Sequence, residues 1–199
     1  MIAVIDVCGN NLASLGNSLK RLGFNYQLTH DSKEIQQATH VILPGVGTAS
    51  FGMKALRDYG LIDVLSQLNQ PLLGICLGMQ LLLDYSEEGQ ISCLGLIPGR
   101  AELLTRSRDF PVPHMGWNQL QWQEHSPLQQ GLNTNDSVYF VHSFALKENQ
   151  YAVARCTYSE EFTAIINKNN IYGMQFHPEK SAEIGMILLR NFLSLEAVC

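Results

Sequence analysis

No stretch of this 199-residue chain strings together the ~20 apolar residues that a membrane-spanning helix requires, although 46% of it is hydrophobic. With a mean hydropathy of −0.01, the composition is that of an ordinary globular protein and no membrane association is expected. Basic charge is also scarce. Thirteen Lys and Arg against 18 Asp and Glu leave a net charge of −5 and a pI near 5.6, and the basic residues are dispersed. That argues against nucleic acid as a partner, since phosphate binding needs a concentrated cationic face. The six histidines never fall at i, i+4 and none pairs with a cysteine at ligand spacing, so neither a metal nor another cofactor is expected. Five cysteines, Cys8, Cys76, Cys93, Cys156 and Cys199, are odd in number and lack CxxC spacing. In a chain too long to need disulfide staples they point to a reducing, cytoplasmic setting. Met1 to Val7 enters an apolar segment at once, without the basic region and cleavage site of a signal peptide. Repeats and low-complexity linkers are missing too, so residues 1–199 read as one domain.

What is present alternates. Short β-rich runs at Ile2 to Val7, Tyr26 to Thr29, His40 to Leu43 and Leu72 to Ile75 are interleaved with helical patterns at about Asn11 to Leu22, Thr48 to Arg57, Ile62 to Leu68 and from Leu77. This is the signature of βαβ units, which right-handed crossovers wind into a parallel sheet with helices on both faces. The second half offers strands at Trp117 to Trp122, Val138 to Leu146, Tyr151 to Tyr158, Phe162 to Asn167 and Ile171 to Phe176. Lys168-Asn169-Asn170 is short and turn-rich enough for a hairpin between the last two. The expected fold is α/β, a mostly parallel central sheet with an antiparallel extension in the C-terminal half. A closing helix from about Ser181 to Leu195 gathers Ile184, Ile187, Leu188 and Phe192 on one face, with Ser181 as N-cap.

Chemistry concentrates in two segments. In Gly74-Ile75-Cys76-Leu77-Gly78-Met79-Gln80 the G-x-C-x-G spacing between a buried-strand pattern and a helical run matches a nucleophile elbow, whose small flanking residues permit a sharp turn. Cys76 then opens a helix, where free amides favour a thiolate and the Leu77 N–H can face an oxyanion. The alternative is a cysteine buried as a small hydrophobe, the reading preferred for Cys8, Cys93, Cys156 and Cys199. The second segment is His177-Pro178-Glu179. Pro178 biases His177 toward an extended conformation, and residues two apart in an extended run share a side, so His177 and Glu179 can converge. An isolated H-P-E reads more readily as a capped strand-end histidine beside a solvated or helix-terminal charge than as catalytic. Together with the elbow it supplies a triad of nucleophile, base and orienter.

These segments, with Ile42-Leu43-Pro44-Gly45-Val46-Gly47, resemble in the same order the motifs of class I, triad-type glutamine amidotransferases, over essentially the whole chain. Within that family, Pro44 to Gly47 and Pro113-His114-Met115-Gly116-Trp117-Asn118 are most similar to the glutaminase subunits of imidazole glycerol phosphate synthases. The glutaminases of anthranilate or GMP synthesis tend to carry other residues after the Pro-Gly. The resemblance implies hydrolysis of glutamine to glutamate and ammonia by Cys76, His177 and Glu179. It implies an oxyanion hole from Val46, Gly47 and Leu77, and a glutamine pocket at Gly47, Leu77, Gln80 and Glu88, closed by the backbone of Ser143 and Phe144. Residue chemistry agrees: Gln80 lies one helical turn beyond Cys76, Glu88 can hold the substrate ammonium, and Gly47 tolerates close approach. Taken alone, Gln80 reads as a solvated helix residue and Glu88 as one charge of an exposed turn. Glycines at 45 and 47 also let the intervening peptide turn either its N–H or its carbonyl inward.

Ammonia lost to solvent would be useless, and the chain has no length to spare for an acceptor domain. The resemblance implies a heterodimer with a (β/α)₈-barrel cyclase in histidine biosynthesis. That partner joins the ammonia to a phosphoribulosyl aminoimidazole-carboxamide nucleotide, yielding imidazole glycerol phosphate and an aminoimidazole-carboxamide ribonucleotide. It also implies docking around Asn11, Trp117, Asn118, Tyr139 and Lys180, although a Trp or Tyr on a strand is as readily a core residue. The rivals are a glutaminase serving another synthase, an elbow-cysteine peptidase, and a catalytically inert binding subunit.

Overall fold

Along the first strand, β1 (Ile2–Ile5), alternate side chains enter opposite cores: Ile2 and Val4 pack into one, Ala3 and Ile5 into the other. Both faces are therefore covered, as the near-continuous apolar character of the strand requires. The computed structural model describes residues 1–7, 12–123 and 125–196. Its first part runs β1, α1 (Leu12–Arg21), β2 (Tyr26–Thr29), α2 (Ser32–Gln37), β3 (His40–Leu43), α3 (Ala49–Asp58), α4 (Leu61–Ser66), β4 (Leu72–Ile75) and α5 (Leu77–Leu81). There follow β5 (Tyr85–Ser86), β6 (Ile91–Ser92), β7 (Arg100–Leu103), β8 (His114–Gln119), β9 (Gln121–Trp122), β10 (Ser137–His142) and β11 (Phe144–Leu146). The chain closes with β12 (Ala152–Thr157), β13 (Glu161–Lys168), β14 (Ile171–Met174) and α6 (Ala182–Leu193). The eight-stranded main sheet has the order β2-β1-β3-β4-β14-β13-β12-β9. Its strands from β2 to β14 are parallel, and β13, β12 and β9 extend it antiparallel.

One core is sealed by Leu15 and Leu19 of α1 with Leu188, Leu189 and Phe192 of α6. The other is sealed by Ile35 of α2, Met53 and Leu56 of α3, and Leu61 and Leu65 of α4. The α/β fold, the antiparallel extension and the β13–β14 hairpin agree with the sequence reading, and Asn169 takes the positive φ of 57° that the tight turn needs. Among the described residues no helix is long and apolar enough to cross a membrane.

Several points differ, among them the strands β5, β6 and β7, which the sequence patterns did not show, and the end of β14 at Met174 where a strand to Phe176 was expected. Trp117 to Trp122 is not one strand. β8 pairs only with β10 in a separate two-stranded ribbon, and the buried Leu120 breaks the run by giving its N–H to the Asp136 carbonyl at 3.0 Å. β9 then crosses to the edge of the main sheet. Val138 to Leu146 likewise splits at Ser143, whose carbonyl accepts from Leu104 N at 2.9 Å, so β11 leaves the ribbon for a small sheet of order β11-β7-β5-β6. Helix α2, too short for a legible hydrophobic period, is held by Asp31, whose Oδ1 accepts from Lys33 N at 2.8 Å and Glu34 N at 3.1 Å.

Candidate active site

The carboxyl ends of the parallel strands β3, β4 and β14 lie side by side, the usual location of sites in parallel α/β sheets. Each contributes one of the three motifs. At the end of β4, Cys76 adopts φ 53° and ψ −110°, a conformation that an L-residue takes only when its surroundings impose it. Its N–H is fixed to the Met174 carbonyl at 2.7 Å and its carbonyl accepts from Gln80 N at 3.2 Å. The flanking glycines make the turn possible. A Cβ on Gly78 would lie 1.8 Å from the Leu43 oxygen, and one on Gly74 would lie 2.7 Å from the Gly78 carbonyl. The elbow is thus packed against both itself and the end of β3. Helix α5 has only five residues, so what the Leu77 amide offers an anion comes from the unpaired first turn more than from a long dipole.

Beyond β14, His177 is extended at φ −97° and ψ 99°, but Pro178–Lys180 forms a 3₁₀ turn. The convergence of His177 and Glu179 therefore arises from this turn, not from an extended run. His177 Nδ1 meets Glu179 Oε1 at 2.8 Å, and both side chains are buried. Burial works against a charge on the imidazole. Hydrogen bonds and attraction from Cys76 and Glu179 outweigh it and lift His177 from 6.5 to about 10. The backbone N–H of His177 is tied to the Tyr139 carbonyl at 3.0 Å.

Ser181 sits where an N-cap was expected, but its side chain makes no capping bond to α6. Its hydroxyl donates to the His177 carbonyl at 2.7 Å and accepts from Tyr139 N at 2.9 Å. The hydroxyl that would cap a helix instead braces the histidine loop against β10.

A cavity of about 300 Å³ opens over Cys76 and His177, and Val46, Gly47, Leu77, Gln80, Glu88, Ser143 and Phe144 all line it. Gln80 is not solvated. It is 4% exposed and its Nε2 donates to the Phe144 carbonyl at 2.8 Å and to Gln175 Oε1 at 3.1 Å. Glu88 is half-buried and accepts from Ala49 N at 2.9 Å, in the first turn of α3. Gly47 has φ +100°. Trp117 is 55% exposed, stands opposite Tyr139 in the ribbon and meets its ring edge-on at 6.0 Å. Lys180 is exposed, whereas the Asn118 amide turns inward to the Thr157 carbonyl at 2.9 Å. Asn11, Cys8 and Cys199 lie outside the described residues. Cys156 is buried and Cys93 half-buried, and burial pushes their thiols up to about 12 and about 11, in keeping with their reading as inert small hydrophobes.

Sequence reasoning missed Pro113, Val141 and His142, which also line the cavity, and Gln175, whose Nε2 lies 3.9 Å from Cys76 Sγ. His142 Nδ1 faces the Phe144 carbonyl at 2.9 Å and its Nε2 meets His114 Nδ1 at 3.1 Å. Because a carbonyl only accepts, Nδ1 of His142 carries the proton and His114 donates to Nε2. Burial holds His114 down to about 4 and His142 to about 3. The available signal was their position in motif segments, one in the Pro113 to Asn118 run and one beside Ser143.

The family model described as glutamine amidotransferase class-I matches residues 3–195. The chain belongs to this family. This amidotransferase chain is 71% identical over 199 residues, 100% of both chains, to a Legionella pneumophila (strain Paris) protein named imidazole glycerol phosphate synthase subunit HisH 2. It is 48% identical over 196 residues, 98% of both chains, to a Xylella fastidiosa (strain Temecula1) protein named imidazole glycerol phosphate synthase subunit HisH. Its fold is that of a putative GMP synthase protein from Thermoplasma acidophilum, with TM-score 0.73, 20% identity and coverage of 96% of this chain and 91% of that one.

Proposed function

We propose that this class-I glutamine amidotransferase is the glutaminase subunit of an imidazole glycerol phosphate synthase and acts in histidine biosynthesis, as the names of its full-length relatives suggest. The observation that carries the chemistry is the shared cavity: the strained Cys76 elbow, His177 with Glu179 bonded behind it, and the expected pocket residues come together, all of them but Glu179 bordering one space of about 300 Å³. In this reading His177 takes the proton from Cys76 Sγ, and the sulfur attacks the carboxamide carbon of glutamine. The oxyanion faces the Leu77 amide and the Val46–Gly47 peptide. His177 then protonates the departing nitrogen as the C–N bond breaks, leaving a thioester and ammonia. Water, deprotonated by His177, cleaves the thioester to glutamate and restores the thiol. Glu179 holds the ring tautomer and steadies the imidazolium.

Within the pocket, Glu88 faces the substrate ammonium and Gln80 presents the carbonyl end of its amide. The ammonia passes to a (β/α)₈-barrel cyclase bound in a heterodimer, in a cytoplasmic setting. Trp117 and Tyr139 are the aromatic anchors of that contact and Lys180 its cation beside the active-site mouth, with Asn118 supporting the ribbon from within.

A glutamine-analogue electrophile tests the active-site part directly. Mass spectrometry should find the label on Cys76 alone, with glutamine protecting against it and Cys76→Ser abolishing it. Labelling spread over Cys93 and Cys156, or no protection by glutamine, would overturn the assignment.

A further inference from the structure

The triad leaves one neighbour of the reacting sulfur without a role. Gln175 is fully buried, one of the most sheltered polar residues in the chain, and its Nε2 lies 3.9 Å from Cys76 Sγ, within reach of a hydrogen bond to sulfur. Which end of an amide faces a partner is decided by the partners that have no choice. The Phe144 carbonyl can only accept, so the group that Gln80 turns toward it at 2.8 Å must be its NH₂. That same nitrogen lies 3.1 Å from the other amide, so Gln175 must turn its oxygen to Gln80. Its NH₂ is thereby left facing the sulfur. The backbone of Gln175 is equally fixed, with its N–H donating to the Ala164 carbonyl at 2.9 Å. One backbone carbonyl thus sets, through two buried amides, the polarity of the group beside the nucleophile.

We propose that Gln175 is a further catalytic residue, whose side-chain N–H donates to the Cys76 sulfur and stabilises the thiolate that attacks the substrate. The donor is needed because a main-chain group also neighbouring Sγ, the Val141 carbonyl at 3.8 Å, is an acceptor. It suits the thiol and opposes the thiolate. A buried anion flanked by a carbonyl needs a compensating donor, and Gln175 supplies it without giving up a proton. The histidine faces the sulfur from the β14 loop and leaves with the proton toward the nitrogen, whereas the amide remains as a fixed donor throughout the cycle.

This inference rests on Cys76 being the nucleophile, so the test reads that separately. The full-length chain is treated with iodoacetamide across pH 7 to 10, and the rate at Cys76 is followed by mass spectrometry beside that at Cys93. In the unaltered protein Cys76 should react much faster than Cys93; if it does not, the nucleophile assignment itself fails. Gln175→Leu, nearly the same volume without the donor, should slow Cys76 alkylation at pH 7 about tenfold, the effect of losing one charge-assisted hydrogen bond. The rates should converge toward pH 10, where the thiol ionises unaided. Gln175→Met, an unbranched side chain of similar length with no N–H or O–H, also removes the donor and should slow the reaction about as much. Circular dichroism verifies the fold of each variant, and Gln175→Met alone decides the matter if Gln175→Leu does not fold. A folded variant whose Cys76 reacts at the unaltered rate at pH 7 would show that Gln175 only fills space.

Discussion

At the scale of single residues, the site is governed by which groups are charged when buried. His177 and the His114–His142 pair lie within one small region yet are driven in opposite directions. Against its burial, His177 is raised to about 10 by hydrogen bonds and attraction from Cys76 and from the Glu179 carboxylate at 2.8 Å, while burial lowers His114 and His142 to about 4 and about 3. The consequences for stability have opposite signs. For the lowered pair the unfolded chain takes up protons near 6.5 while the native chain does not, so stability is lost as pH falls from 6.5 toward 4. His114 alone should account for on the order of 2–3 kcal/mol over that window. His177 contributes stability that is fully present below 6.5 and lost as pH rises through about 10. Urea unfolding midpoints followed over pH should therefore fall on both sides of a maximum near pH 6.5. His114→Phe, which keeps the stacking against Tyr158 and Phe140, should flatten the acid side only. An unchanged acid slope in that variant would contradict the account.

At the scale of elements, the elbow shows how much depends on two hydrogen atoms. Gly78 is where α5 meets β3, with the Leu43 oxygen 1.8 Å from any Cβ placed there. Gly78→Ala should cost about 3 kcal/mol or more, because the strand and the helix must part. Gly47→Ala has nothing within 4 Å to strike and pays only for its φ of +100°, about 1–2 kcal/mol. Thermal melts should rank the two clearly, and equal losses would mean that the elbow is not packed as described. The same contrast explains what the sequence made legible. The parallel strands β2, β3 and β4 matched their sequence patterns end to end; β3 and β4 are short buried runs between helices, which leave little freedom, and β2 is the half-exposed edge strand beside β1. Cys76, His177 and Glu179 were expected from the spacing within their two motifs, whereas the pocket residues Gly47, Leu77, Gln80, Glu88, Ser143 and Phe144 were expected only through the family resemblance. The breaks at Leu120 and Ser143 were not, since each is set by a hydrogen bond to a remote carbonyl or amide, Asp136 or Leu104. Gln175 was hidden for a related reason: a glutamine just past the end of β14 says nothing about a sulfur 99 positions away. Ser181 carried a capping signal that tertiary contacts diverted to His177 and Tyr139.

At the scale of the whole molecule, the candidate interface and the candidate active site share one ribbon. β8 and β10 present Met115, 62% exposed, and Trp117, 55% exposed, on the outside. The carbonyl of Tyr139 in the same ribbon holds the His177 backbone, and its N–H holds Ser181. On its inner side, His142 and Gln80 converge on the Phe144 carbonyl. A partner pressing on this ribbon would press on the frame of the triad. The proposed function accordingly makes Cys76 one half of a device completed from outside. The most direct measurement is glutamate release from glutamine by this chain alone, with the barrel cyclase, and with the cyclase and its nucleotide ligand. The account predicts feeble release alone and a rise of about 10²-fold or more in the full mixture, with Trp117→Ala losing most of that rise. Equal release in all three mixtures would contradict it.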